Sequence, residues 1–112
     1  MAEIPLEARR QMAAQQDRLT IPAKYDDLTW YERRLVREEY IVRQGGACYH
    51  CKHTLSEDTP DDIKRQFPLD PRYWGPDFLK HPIHLHHDHQ TGYTIGSTHA
   101  YCNAILAQYY GE

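Results

Sequence analysis

The chain has few cysteines, no long hydrophobic run and no secretory signal. Three cysteines in 112 residues are odd in number and too few for a disulfide framework. Because the mean hydropathy is -0.82 and the apolar stretches are short, no segment is expected to span a bilayer. The first residues also lack the basic start and apolar run of a signal peptide. We therefore expect a soluble, cytoplasmic protein whose cysteines stay reduced.

A positive net charge is missing as well. The formal net charge is -3, so the overall composition does not indicate a nucleic-acid binder. Contact with DNA would need a local basic face, and Arg33, Arg34 and Arg37 on a predicted helix could supply one. The same arginines could equally form a solvated helix face.

The sequence contains two pairs of cysteine and histidine residues that could bind a metal. Cys48-Tyr-His-Cys51 forms the first clamp, and His99-Ala-Tyr-Cys102 forms the second clamp. Two residues between ligands, occurring twice, is the spacing with which two short segments close tetrahedrally on one Zn²⁺. We therefore predict that these four residues hold a structural zinc, which would stabilise a domain with a core of limited size.

Other interpretations of the clamps stay open. The cysteines could be ordinary buried residues, or Cys48 and Cys51 could form a thioredoxin-type redox pair, although no βαβ pattern surrounds them. His50 or His53 could replace His99 as the fourth ligand, because both lie close to the first clamp. The spacing of His99 in the second clamp mirrors that of the first and favours His99.

Helices are predicted in the N-terminal part of the chain. Residues 6–18 are rich in Ala, Gln, Arg and Met, which predicts a first helix. Thr29-Trp-Tyr-Glu32 matches a capping box, so a second helix should run from about residue 30 to 44 and stop at Gly45-Gly46. Apolar residues at helical spacing predict its core face: Trp30, Tyr31, Leu35, Ile41 and Val42.

Residues 52–83 contain five of the seven prolines and show no periodicity, which predicts a long loop. Thr59-Pro60 is typical of an N-cap followed by a first-turn proline, so a short helix to about residue 67 is expected. Tyr73, Trp74 and Phe78 should fold the loop back onto the domain. Stacking on nucleic-acid bases is the alternative role for these aromatic residues.

The C-terminal part predicts a strand, a second strand and a helix. Ile83–His87 and Tyr93–Ile95 have the pattern of strands joined by a turn at residues 90–92. Thr98 can cap a last helix from about residue 99 to 109. The second clamp would then lie at the start of that helix.

A polar site is expected beside the zinc. Asn103 shares one stripe of the last helix with the second clamp, so zinc binding would turn it towards the histidine run, residues 84–89. The predicted members of this site are His86, His87, His89 and Asn103. Because His86 and His87 would point to opposite faces of a regular strand, a bulge or bend near His87 is expected.

Such a site suits metal-assisted hydrolysis of a phosphodiester. One divalent cation stabilises the developing charge, and a neutral histidine removes a proton from the attacking water. The alternatives are that some of these histidines bind zinc or lie at the surface, and that Asn103 only satisfies backbone groups. His81 and His84 are expected to be surface residues or to support the site from outside.

The patterns C-x-x-C, L-H-H-D-H-x-T-G and G-x-x-H-x-x-C-N together resemble the HNH endonucleases, in particular the zinc-stapled recombination endonuclease VII branch. The likeness covers residues 45–110. It implies an α+β protein with a small ββα-metal (His-Me finger) domain at residues 45–112. A loop insertion at residues 52–82 would interrupt this domain, and a helical extension at residues 1–44 would precede it.

The resemblance also implies roles residue by residue. His87 matches the general base, and His86 and Asn103 match the ligands of the catalytic Mg²⁺, Mn²⁺ or similar cation. His89 matches the trailing histidine, expected to contact phosphate or complete the site. The chain departs from the endonuclease VII branch at His86, where that branch has aspartate, at His99, where it has cysteine, and at Ile95, where it often has arginine.

We therefore expect an endonuclease that cleaves or nicks DNA, which is expected to be double-stranded, in a bacterial or phage-infected cell. A homodimer, or a packaging or recombination protein as partner, is compatible with this reading. The alternative is a non-catalytic zinc module that binds nucleic acid or protein. A structural zinc site alone would not require the histidine run or Asn103. Their presence therefore favours the enzyme over the binding module.

Overall fold

The computed structural model describes residues 20–111, which combine one two-stranded antiparallel sheet with three α-helices. The elements in chain order are a 3-10 turn at Tyr25–Asp27, α1 at Trp30–Arg43, α2 at Asp61–Gln66, β1 at Ile83–His87, β2 at Thr94–His99 and α3 at Ala100–Tyr110. The predicted α+β class is confirmed. The helix predicted at residues 6–18 lies outside the described residues.

Helix α1 begins at the predicted capping box. The Thr29 side chain accepts from the backbone N–H of Glu32 at 3.1 Å, and Glu32 accepts from the backbone N–H of Thr29 at 2.9 Å. These bonds satisfy two of the backbone donors that a helix start leaves unpaired. The prediction of a helix from this box is therefore confirmed.

The predicted core face of α1 is partly wrong. Trp30 is 77% exposed and Val42 is 74% exposed, and Tyr31 is also exposed. The helix meets the sheet through buried Val36 and through Tyr40, whose hydroxyl lies 3.2 Å from the backbone oxygen of Thr94. Tyrosine has an apolar ring and a hydroxyl that can form a hydrogen bond, so Tyr40 can face the sheet. The buried face of α1 therefore differs from the face that carries the most apolar residues.

The hairpin contains the irregularity expected near His87. Successive residues His86 and His87 of β1 pair with Gly96 and Thr94 of β2, so Ile95 is an extra residue on the second strand. Strand β1 has the predicted bounds, whereas β2 extends beyond the predicted end at Ile95 to His99. The bulge therefore lies on β2, opposite the step from His86 to His87 in the histidine run.

The predicted cap of the last helix is wrong. Thr98 is buried inside β2, where it pairs with His84, and its hydroxyl has no hydrogen-bond partner among the described residues. His99 occupies the N-cap position without a side-chain cap bond. Strand pairing therefore continues to the residue before the helix, so the threonine that matched a cap is used by the sheet.

The loop before the hairpin folds back onto α3 as expected for two of its three aromatic residues. Trp74 donates its indole N–H to the Gln108 side chain at 2.9 Å and packs on Phe78, whose ring lies 4.8 Å from that of His84. Tyr73 is 67% exposed, so the prediction for it is wrong. Within the loop α2 lies close to its predicted place, although Pro60 occupies the N-cap position and not the first turn.

The hydrophobic core includes the predicted zinc ligands. Cys48, Leu55 and Cys102 form a buried cluster, with Ile41 and Ile83 packed against it. Ile105 is fully buried on α3. None of the helices within residues 20–111 is long and apolar enough to cross a membrane.

Replacing Gly96 by alanine should destabilise the fold, because the added Cβ would lie 2.8 Å from the side-chain oxygen of Gln44 and 3.1 Å from the Tyr49 ring. That oxygen also accepts from the backbone N–H of Ser97 at 2.8 Å, so it cannot move without losing the bond. We expect the free energy of unfolding, measured by urea denaturation, to fall by about 1–3 kcal/mol.

The matched control is Gly75→Ala, since a Cβ at Gly75 meets no atom within 4 Å. This control should change the free energy of unfolding by less than about 0.5 kcal/mol. Equal effects of the two substitutions would contradict the close approach at Gly96.

Candidate metal centre and histidine cleft

The two clamps lie together in the structure. The ligand atoms of Cys48, Cys51, His99 and Cys102 are all within 4.8 Å of one another. His99 Nδ1 is 3.4 Å from the Cys51 sulfur and 3.7 Å from the Cys102 sulfur. Ligands at ordinary bond lengths from a tetrahedral Zn²⁺ are separated by about 3.6 Å. The four side chains therefore form a group that could hold a zinc ion.

His99 is oriented for this role by a backbone carbonyl. Its Nε2 lies 2.9 Å from the carbonyl oxygen of Thr54, which can only accept a hydrogen bond. The ring proton therefore lies on Nε2, and Nδ1 presents its lone pair to the cysteine sulfurs. The rival His53 is exposed, and neither His50 nor His53 belongs to the ligand group. The structure thus favours His99 as the fourth ligand.

The cysteines of the clamps are electrostatically linked. A hydrogen bond with the Cys102 side chain lowers the pKa of Cys48 to about 4, assisted by backbone donors that include His99 N–H. The same side-chain hydrogen bond raises the pKa of Cys102, and burial raises the pKa of Cys51. Cys48 is the sulfur that the surrounding donors hold as a thiolate, the form that binds metal.

Asn103 bridges two histidines of β1. Its side-chain oxygen lies 3.0 Å from His86 Nδ1, and its side-chain nitrogen lies 3.2 Å from His84 Nδ1. Because the amide oxygen accepts and the amide nitrogen donates, this orientation leaves Nδ1 of His84 as an acceptor. Burial lowers the pKa of His84, which favours this neutral ring. The structure brings Asn103 to the histidine run as predicted, and adds His84 to the site.

His87 is held by a stacked tyrosine. The rings of His87 and Tyr25 are 4.0 Å apart and inclined by 13°. The Arg33 guanidinium lies 3.9 Å from the Tyr25 ring centre, which places it on the opposite face, and it donates two hydrogen bonds to the Tyr25 carbonyl. Burial, followed by the charges of His89 and His86, lowers the pKa of His87.

Tyr25 is the member of the site that the sequence did not identify. Its segment pairs with the chain after the hairpin turn: Tyr25 N–H donates to Gly92 at 2.8 Å, and Thr94 N–H donates to Ala23 at 2.8 Å. Residues 21–27 contain Pro22 and no strand periodicity, so only a break between helices could be predicted there. The pairing partner lies about 70 residues away in sequence, as the 71-residue separation of Ala23 and Thr94 shows.

These residues line one cleft of about 490 Å³, which we call the histidine cleft. Its lining contains the five histidines His81, His84, His86, His87 and His89, the arginines Arg33 and Arg37, the aromatic residues Tyr25, Trp30, Trp74 and Phe78, and also Ile83, Leu85, Asn103 and Ala107. No aspartate or glutamate is among the described residues that line it. A chain with a net charge of -3 thus has a cleft that favours an anion.

Three of the four arginines of α1, the ones that could form a basic face, differ in their surroundings. Arg34 pairs with Glu38 at 3.2 Å, and both side chains are exposed. Arg33 and Arg37 line the histidine cleft and make no ion pair with a carboxylate of residues 20–111. Of the three residues that could form a basic face, Arg33 and Arg37 thus line the histidine cleft, and contact of this face with DNA stays a prediction.

Comparison with known protein families, characterised proteins and solved structures found no match for this chain. The resemblance to HNH endonucleases rests on the motif residues alone. The expected DNA substrate, the partners and the cytoplasmic location stay predictions.

Zinc analysis of the purified protein should find about one ion per chain. Cys102→Ser should lose the zinc together with the fold, because the ligand is fully buried at the centre of the core and metal binding contributes to folding. Metal content by mass spectrometry and circular dichroism measure the two effects.

His53→Ala is the matched control, since His53 is an exposed histidine beside the first clamp. This variant should keep both its zinc and its helical signal. A Cys102→Ser protein that folds normally without zinc would contradict the structural role of the ion.

Proposed function

We propose that this protein is a metal-dependent endonuclease of the HNH type, which hydrolyses phosphodiester bonds in DNA. The observation that carries the proposal is the histidine cleft, which is lined by His87, the His86–Asn103 pair and two arginines. Within residues 20–111 no carboxylate lines this cleft or forms an ion pair with these arginines. Metal-assisted hydrolysis of a phosphodiester bond requires three functions: a general base, a binding site for a cation and groups that attract the phosphate.

The order of elements supports a ββα-metal core made of β1, β2 and α3. The second clamp spans the junction of β2 and α3, and Asn103 follows Cys102 directly on α3. Zinc at the clamps would fix the start of α3 against the hairpin, and with it the distance from Asn103 to β1. The zinc is structural in this proposal, because four protein side chains would fill its tetrahedral coordination and leave no position for a substrate.

The donor atoms of His86 and Asn103 fit a hard divalent cation. Neighbouring ligands of octahedral Mg²⁺ or Mn²⁺, each about 2.1 Å from the ion, are about 3.0 Å apart. His86 Nδ1 and Asn103 Oδ1 are 3.0 Å apart. These two residues would hold the cation when the His86 ring carries its proton on Nε2. The cation would stabilise negative charge on the phosphate and on the leaving oxygen.

The chain itself supplies the proton transfer. His87, kept neutral by its lowered pKa, accepts a proton from the attacking water, and Tyr25 holds the imidazole ring in one plane. Arg33 and Arg37 line the same cleft, and their positive charges would attract the phosphate oxygens. His89, exposed at the cleft with its ring 4.8 Å from that of His87, is placed to contact phosphate.

Replacing the proposed base should abolish most of the activity. His87→Ala should cleave supercoiled plasmid about 10²–10⁴-fold more slowly than the unaltered protein, with Mg²⁺ or Mn²⁺ added after purification, because the substitution removes the proposed general base. Gel electrophoresis of nicked and linear products gives the rates.

His53→Ala removes an exposed histidine outside the cleft and should cleave at the normal rate. Equal cleavage by the His87→Ala protein would exclude His87 as the base. If the unaltered protein fails to cleave with every divalent cation tested but still binds DNA, the result would favour the non-catalytic binding module over the enzyme.

The pH dependence of cleavage should reflect the surroundings of His87. Its pKa lies below the ordinary value of 6.5, and the neutral ring is the active form. The rate should therefore rise with pH as the proton leaves and reach half its maximum below pH 6.5, at a fixed Mn²⁺ concentration. A half-maximal rate above pH 6.5 would contradict the proposed environment of the base.

A further inference from the structure

Trp30 has an exposed aromatic ring beside the histidine cleft. It is the first residue of α1 and is 77% exposed, and its one aromatic neighbour within residues 20–111 is the edge-on ring of Tyr31 at 6.0 Å. It lies outside the segment that resembles the HNH endonucleases. The packing of the described residues leaves this side chain exposed and the proposed hydrolysis does not use it, although exposure of a tryptophan to water is unfavourable.

The cleft continues past Trp30 into a second depression, which we call the outer groove. The outer groove has a volume of about 580 Å³ and shares Trp30, Arg37, His81 and Ile83 with the histidine cleft. Its remaining lining is Arg34, Glu38, Ile41 and Pro82. One trough therefore runs from His87, past Trp30 and Arg37, to the outer side of α1.

The charges of the outer groove fit an anionic chain. Glu38 is its one carboxylate among the described residues, and Arg34 neutralises it at 3.2 Å. Arg37 lies where the two depressions meet and has no ion pair within residues 20–111. A positive charge beside an exposed indole is the combination with which proteins hold a single strand: the cation meets a phosphate and the ring meets a base.

We propose that the outer groove binds a single-stranded segment of nucleic acid, with one base stacked on Trp30 and a phosphate at Arg37. The location next to the cleaved bond rests on the function proposed for the histidine cleft. A paired base in a duplex already has its faces covered by its neighbours, so only an unpaired base can offer a face to the indole. The preferred substrate therefore contains unpaired nucleotides close to the cleaved phosphodiester.

Fluorescence anisotropy with a labelled oligothymidylate of about 16 nucleotides, and with a duplex of the same length, tests this surface. The protein carries His87→Ala throughout and receives no added divalent cation, so that neither probe is cut and no chelator removes zinc. Adding Trp30→Ala should weaken single-strand binding at least about fivefold, the lower limit for loss of one stacked base. Duplex binding should change less than about twofold.

Two further variants make the result specific. Trp30→Phe keeps an aromatic face and should restore most of the single-strand affinity. Tyr73→Ala removes another exposed aromatic residue, 67% exposed and outside both depressions, and should leave both affinities unchanged. Arg37→Ala should weaken the binding of both probes. It should also reduce the slope of log affinity against log salt concentration by about one, as expected for the loss of one phosphate contact.

The inference is overturned if Trp30→Ala has no effect, weakens both probes equally, or converts a dimer to a monomer with unchanged strand binding. Because Trp30 is exposed, circular dichroism should show an unchanged fold. Plasmid cleavage by the unaltered chain separates the two proposals. Cleavage without single-strand binding would refute the proposed role of the outer groove and leave the endonuclease proposal standing. The expected binding without cleavage would support the role of the outer groove and refute the endonuclease proposal.

Discussion

The position of the last helix depends on the junction of the two clamps. Cys48 follows α1, whereas His99 and Cys102 span the end of β2 and the start of α3, and these side chains meet in the centre of the core. Backbone bonds tie the same segments together, since Tyr49 N–H donates to Ser97 at 3.0 Å. Few other apolar side chains are fully buried, so a metal at this junction would replace the cohesion that a larger core provides.

The next residue along α3 carries this constraint into the histidine cleft. Cys102 is completely buried, and Asn103 follows it, with its amide within 3.2 Å of two histidines of β1. A shift of the helix start would move the amide away from both rings. The bulge of β2 lies opposite His86 and His87, and the His87 ring stacks on Tyr25, with Arg33 behind it. The proposed base and the proposed cation ligands thus line one cleft.

Local signals in the sequence predicted much of this arrangement. The capping box, β1, the bulge and the grouping of the clamps each depend on residues close together in sequence or on a fixed ligand spacing. The errors arose where distant segments decide. Thr98 pairs with His84 and does not cap, and the helix α1 turns Val36 to the sheet while Trp30 stays exposed. The contact of Tyr25 with His87 could not be predicted, because it depends on a pairing that no local pattern marks.

The net charge of -3 gave no sign of the histidine cleft, because none of the acidic residues within the described part of the chain lines it. The proposed function requires two different metals with separate tasks, whose ligands include the successive residues Cys102 and Asn103 of α3. Anomalous diffraction from crystals soaked with Mn²⁺, recorded at the zinc and manganese edges, tests it most directly. We expect a zinc peak among the four clamp ligands and a separate manganese peak between His86 and Asn103. A single peak, or zinc bound at the histidines in place of the clamps, would contradict it.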